Sequence, residues 1–294
     1  MLSVVKSGGT RKRRGQFQAC PRRFLTSRPG LGVPANGKDT RWQLLQFGVM
    51  QMDSSTNYSD VYDIFTSSDD YATRFEGEVG EWFLRVQEQA TMRMLAPYPD
   101  ATILYVGGGH GQMMDELLRT GHRVTVFSSS DECKKRIQHY IDDRRIDFRV
   151  GNILDMPYPD RSFDVVICYR LTAHVVNLEG YLKELARVAG KAVLLDYPDV
   201  RSINYIAPQL YGIKKRLEPN TRQFVCFRED QLLEVFKEAG FKRSDRFPQY
   251  FLPMMLHRKL KHAGFSDVAE KFFRLVGLTG LLGSPVIMKV ERAD

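Results

Sequence analysis

From residue 102 onward, short apolar runs rich in β-branched residues alternate with amphipathic stretches of helical period. The runs predict strands over 102–106, 123–127, 146–150, 163–168 and 191–196. The stretches between them predict helices over 112–120, 131–142 and 178–188. Before the first strand, a helical pattern covers 58–95, where Trp82, Phe83, Val86, Ala90 and Leu95 share a stripe, and it stops at Ala96-Pro97-Tyr98-Pro99. After residue 196 the alternation loosens: helices are expected over 202–217 and 228–239, the second closed by Gly240, and strands over 241–247 and 286–292. Strands that are apolar on both faces, separated by helices, belong to a parallel sheet covered on both sides. The fold class is therefore α/β, doubly wound.

Composition narrows this little: the 294 residues are 43% apolar and 27% charged, with no uninterrupted apolar run long enough to span a membrane. Charge changes more. The net charge is +8, but residues 1–38 hold nine basic side chains and no acid, so the remainder, with 34 basic and 35 acidic residues, is close to neutral. The basic signal belongs to an extension and not to a face of the body, which argues against nucleic acid as the partner. That extension, rich in Arg, Gly, Ser and Pro, reads as a tail over 1–49. It fits a mitochondrial presequence, an arm for nucleic acid or a membrane surface, or a leader upstream of a start at Met50 or Met52. A cytoplasmic enzyme is the expectation, with a mitochondrial location as the alternative if 1–38 is a presequence. The cysteines, Cys20, Cys133, Cys168 and Cys226, show neither disulfide density nor metal spacing, so reduced thiols and no metal are expected.

The first expected strand runs into Gly107-Gly108-Gly109-His110-Gly111-Gln112 and then a helix. Glycines at a strand-to-helix turn let the backbone bend tightly and approach a ligand closely. A dinucleotide fingerprint needs a glycine at the sixth place, and Gln112 stands there. The GxGxG form instead resembles motif I of the class I S-adenosylmethionine-dependent methyltransferases. Gly151-Asn152-Ile153-Leu154-Asp155-Met156-Pro157-Tyr158-Pro159-Asp160-Arg161-Ser162-Phe163-Asp164 is similar to the segment between the third and fourth strands of the subgroup with quinone and sterol methyltransferases. His174 and the run Tyr181-Leu182-Lys183-Glu184-Leu185-Ala186-Arg187-Val188 resemble the loop and helix after strand four in that subgroup. The resemblance covers roughly 100–245.

The resemblance implies a Rossmann-like sheet of seven strands, the last antiparallel, with S-adenosylmethionine across the strands' carboxyl ends. It implies a helical lid over 50–98 and a core over 99–294, with acceptor-side insertions near 197–227 and 250–283. Carried over, Tyr105, Gly107, Gly109, Gly111, Ser128, Asn152, Ile153 and Tyr169 would line the cofactor. His174, Tyr169 and Asp196 are the candidate bases, and Tyr71, Arg74 and Tyr205 the candidate acceptor contacts. Three positions where the family commonly has an acid are neutral here: Tyr105, Ser128 and Asn152. Asp131 or Glu132 could compensate, although Ser129 and Glu132 also have capping-box spacing. Cys168-Tyr169-Arg170-Leu171 carries neither an Asn-Pro-Pro-Tyr-type nor a Pro-Cys motif, which argues against amino methylation of DNA bases and C5 methylation by a cysteine.

The activity implied is methyl transfer to a small molecule, at oxygen or carbon. The aromatic and Met-rich stretch at Tyr250, Phe251, Met254, Met255, Leu256, Phe272 and Phe273 reads either as a greasy acceptor pocket or as helix packing. The competing reading is a degenerate methyltransferase fold that acts as a binding or assembly factor.

Overall fold

A computed structural model describes residues 62–202 and 225–293. Seven strands form one sheet: β1 (Thr102–Val106), β2 (Arg123–Ser128), β3 (Asp147–Val150), β4 (Phe163–Cys168), β5 (Ala189–Tyr197), β6 (Phe241–Pro248) and β7 (Val286–Arg292). Their order is β3-β2-β1-β4-β5-β7-β6. The first five are parallel, and β7 runs antiparallel to both of its neighbours. The order reverses between β1 and β4, and their carboxyl ends open the crevice where doubly wound sheets bind ligands.

β1 lies at the centre because every side chain after Thr102 is apolar and fully buried. Ile103 and Tyr105 point to one face, into a core shared with Ile167, Tyr169, Leu194 and Ile287. That core is closed by Ala90, Met94 and Leu95 of α3 (Gly77–Leu95) and by Met114 and Leu117 of α4 (Met114–Arg119). On α6 (Leu178–Val188), which starts where the Asn177 side chain accepts the Gly180 N–H, Tyr181, Leu182, Leu185 and Val188 are buried. An edge device closes the β3–β4 crossover: Arg187 donates to the carbonyls of Met156 and Tyr158 and pairs with Glu184.

The expected strands all form, to within a few residues, whereas three expected helices differ. The pattern over 58–95 is not one helix among the described residues but α1 (Tyr62–Thr66), α2 (Asp69–Ala72), a 3-10 turn and then α3. Gly77 is left-handed at φ 71°, and a Cβ on Gly80 would stand 2.1 Å from the Phe75 backbone, so the chain turns sharply back against itself there. The helix over 112–120 is shortened to α4, because the glycine loop takes up its first turn. The helix over 131–142 is a 3-10 segment followed by α5 (Gln138–Asp142), and it is Ser130, not Ser129, that caps it by accepting the Glu132 N–H. Most of the helix expected over 202–217, together with Tyr205 and the tail over 1–49, lies outside the described residues.

After α7 (Glu229–Glu238) and β6, the stretch before β7 folds as α8 (Met254–Leu260), α9 (Ala263–Leu275) and α10 (Leu278–Leu282). Tyr250 packs with Trp82 and Phe83 of α3, so this aromatic is a packing residue and its hydroxyl donates to the Phe83 carbonyl. α9 turns Ser266 and Glu270 inward. The Glu270 carboxyl accepts the N–H groups of Phe251 and Leu252, both at 2.8 Å, and lies 3.0 Å from Nε2 of the buried His257. Glu270→Ala strands those two N–H groups, and about 2–4 kcal/mol of stability should be lost, as read by chemical denaturation. An unchanged midpoint would mean that water replaces the carboxyl without cost.

Candidate cofactor and acceptor site

The loop after β1 is built by backbone geometry. Gly107 and Gly111 are left-handed, at φ 72° and 74°, and enclose a single 3-10 turn whose residues are buried. The Gly107 N–H donates to the Phe127 carbonyl across the end of β2. A Cβ on Gly109 would stand 2.4 Å from the Cys133 carbonyl oxygen and 2.6 Å from Ser67 Oγ. Gly109 thus admits protein from the residues just after α1 and from the segment after β2, and it is a packing glycine here.

Tyr105 lies beneath this loop: a Cβ on Gly108 would touch its ring at 2.7 Å. His110 Nδ1 accepts the Gln112 N–H, which leaves Nε2–H to donate to the Tyr105 hydroxyl at 3.2 Å. Burial, with Arg170 and Arg136 adding to it, pushes the His110 pKa well below the ordinary range and keeps the ring neutral. Tyr169 is fully buried, and its hydroxyl meets Thr91 Oγ1 at 2.8 Å. Burial raises both phenols. Tyr105 and Tyr169 therefore support the crevice from the core side.

At the end of β2, Ser128 is fully buried and its Oγ has no hydrogen-bond partner. The next residue, Ser129, donates its N–H at 2.7 Å and its hydroxyl to the carboxylate of Asp63 in α1. Asp63 is itself buried, and its Cβ lies within 3.6 Å of where a Gly107 Cβ would be. So the carboxylate that β2 lacks is present beside its end, brought by α1. The compensation suggested for Asp131 and Glu132 is not seen: Asp131 pairs with Lys134 on the surface, and Glu132 is exposed. Asn152 is exposed, and its Oδ1 accepts the Leu154 N–H in a local turn, whereas Ile153 is buried. Gln112 Oε1, at the foot of the loop, is buried and unpartnered.

The carboxyl ends of β4 and β5 form the other half. Arg170, left-handed at φ 65°, donates its N–H at 2.6 Å to Asp196 Oδ1. Its guanidinium stacks 4.0 Å over the Phe75 ring and donates to Gln87 Oε1 at 2.8 Å, and its Nη1 is buried with no partner. Burial raises the Asp196 pKa to about 6, against the opposing Arg170 N–H and charge. Tyr71 packs on Phe75 and Phe65, with Arg74 5.1 Å over its ring. The Tyr71 hydroxyl is raised by burial and lowered by Arg170 and Arg74. Arg74 is half-buried, not a solvated helix arginine. His174, in a 3-10 turn past β4, is half-buried.

The residues fit an adenosyl cofactor on three counts: a left-handed glycine turn, the orphaned Ser128 and Gln112 oxygens, and a buried carboxylate facing the loop. Sequence reasoning missed Asp63, Gln87 and Arg170. Asp63 sits 66 residues from its partner, and no spacing rule links them.

Residues 104–194 match the methyltransferase domain family. A demethylmenaquinone methyltransferase from Tropheryma whipplei is 25% identical over 195 residues, covering 59% of this chain and 80% of that protein. A sterol 24-C-methyltransferase from Gibberella zeae is 29% identical over 193 residues, covering 63% of this chain and 51% of that protein. Among solved structures, the magnesium protoporphyrin IX methyltransferase of Synechocystis with bound SAH superposes at a TM-score of 0.54 and 14% identity, covering 79% of this chain and 98% of that one. The fold and the loop define a Rossmann-like methyltransferase. Residues 104–194 are thus a methyltransferase domain, and with these relatives the findings support a class I S-adenosylmethionine-dependent methyltransferase with S-adenosylmethionine as its cofactor.

Gly109→Ala forces a Cβ against the Cys133 carbonyl and should lower stability by roughly 1–3 kcal/mol while weakening S-adenosylhomocysteine binding. Thermal unfolding and calorimetry on the same sample check this, and an unperturbed melting point would show that the loop yields without cost.

Proposed function

We propose that this enzyme methylates a small apolar acceptor at oxygen or at an acidic carbon, with Asp196 as the base. The observation that carries the reading is the Asp196 carboxyl, held by the Arg170 N–H at the carboxyl ends of β4 and β5 with its pKa raised to about 6. A buried carboxylate of that basicity is ionised at neutral pH and basic enough to accept a proton. S-adenosylmethionine supplies, when bound, a methyl group already activated on a sulfonium. The protein's own part is alignment, exclusion of water and removal of the acceptor proton. Phe75 and Tyr71 offer apolar surface beside Arg170, and the quinone and sterol substrates named for the relatives support an apolar acceptor.

On the cofactor side, Gly107, Ser128 and Ile153 would lie against the adenosyl group. Asp63 takes the part of the family's strand-two acid, because a carboxylate has lone pairs left after accepting from Ser129. Asp63→Asn should weaken S-adenosylhomocysteine binding about tenfold in calorimetry, and adding Ser128→Asp should restore much of it. A double variant no better than the single one would sink the assignment.

The acid limb of the rate profile should follow Asp196. Activity rises as pH climbs through about 6, where the carboxyl ionises. The same ionisation costs stability: the folded pKa lies above the unfolded value of 3.8, so stability is highest below that value and falls as pH rises towards about 6. Asp196→Asn should lower kcat at neutral pH by about a hundredfold or more and abolish that limb, with S-adenosylhomocysteine affinity retained. Phenols and quinols are the acceptors to screen, with their ethers, which have no proton to lose, as controls, and a limb that survives in the variant would assign the base elsewhere.

A further inference from the structure

Helix α9 is inside out. Its buried positions are Ser266 and Glu270, while Phe265, Val268, Phe272 and Leu275, at helical spacing along one side, are 57%, 67%, 57% and 85% exposed. Of the eleven large apolar side chains exposed among the described residues, eight lie between Leu256 and Leu281. Folding leaves this apolar surface in water, and an apolar face of this extent marks a docking surface.

The charges around it say what docks. Residues 250–283 contain five Lys and Arg against two acids, in a body otherwise close to neutral. Neither acid is free on the apolar side: Glu270 is buried against the Phe251 and Leu252 backbone, and Asp267 accepts from Trp82 Nε1 and pairs with Lys271. Lys259, Lys261 and Lys271 are exposed. A second copy of the chain would set these cations against themselves across a two-fold interface. An anionic bilayer complements both parts, taking the aromatic and aliphatic side chains below the headgroups and pairing the lysines with lipid phosphates.

We propose that the outer face of α8, α9 and α10 docks the enzyme on anionic membrane surfaces, with α9 lying in the interfacial plane. The docking does not depend on which acceptor is used. No helix among the described residues is long and apolar enough to cross a membrane, so the attachment is peripheral.

The test is flotation of the full chain with vesicles of phosphatidylcholine alone and of phosphatidylcholine mixed with phosphatidylglycerol. Residues 1–38 stay in every sample, so that any pull from the basic extension is common to all. The chain should float with the mixed vesicles, and Phe272→Ser/Leu275→Ser should weaken binding at least about tenfold. Lys259→Glu/Lys261→Glu should reduce the preference for phosphatidylglycerol below that of the wild type, which carries the same basic extension. Both changes are on exposed side chains, so melting temperature and S-adenosylhomocysteine binding should stay at their wild-type values, which separates a docking defect from misfolding. The proposal is overturned if the wild type does not float, if the apolar variant floats equally well, or if that variant instead abolishes a dimer seen by sedimentation.

Discussion

The hydrogen bond from the Arg170 N–H to Asp196 is the constraint on which the carboxyl ends of β4 and β5 depend. Two neighbouring parallel strands, β4 and β5, end side by side, and their last residues must be fixed relative to one another before any site can form between them. Arg170 accepts a left-handed backbone to make this bond, at a cost that a non-glycine residue bears only where its surroundings hold it. The same turn sends the guanidinium out to Gln87 on α3 and to Phe75 in the turn before it. One residue thereby ties the sheet to the helix beneath it and to that turn, and it opposes the burial that raises the pKa of the carboxyl it holds.

Helix α1 contributes at the other half of the crevice. Asp63 satisfies both donors of Ser129, and in doing so brings a carboxylate to the end of a strand that has lost its own. Three neutral residues at Tyr105, Ser128 and Asn152 therefore do not make the crevice free of carboxylates. Tyr105 has a different task, in which its ring fills the space under the glycine loop and its hydroxyl meets a neutral histidine. An acid in that position would be buried in the apolar core, against the usual cost of desolvating a charge.

Packing around the three helices before β7 obeys the same need to satisfy buried polar groups. Glu270 faces inward because two backbone N–H groups after β6 need an acceptor, and helical geometry then sends Phe272 and Leu275 outward. Trp82, Phe83 and Tyr250, with Met254 packed against them, form the apolar contact that holds the layer on α3, and Phe265, Phe272 and Leu275 lie outside it.

How much of this was legible in the residues depends on the range of the interaction. Strand positions, the glycine turn and the parallel order came from local pattern, because period and β-branching act within a few residues and Gly107 and Gly111 need φ values that other residues resist. The breaks in the helices were less legible: Gly77 and Gly80 turn the chain only because Phe75 packs back against it. The inward Glu270 and outward Phe272 invert the usual reading of an amphipathic stripe, since the apolar period of a helix marks out its two faces and not which of them is buried. By itself the sequence determined the sheet and the loop, which rest on short-range stereochemistry, while the cofactor came from the resemblance its motifs carry to the methyltransferases. Only the tertiary structure decided that Asp63 meets Ser129, that Arg170 spans to Phe75 and Gln87, and that burial raises Asp196, because contacts between residues far apart in the chain exist only once the chain is folded.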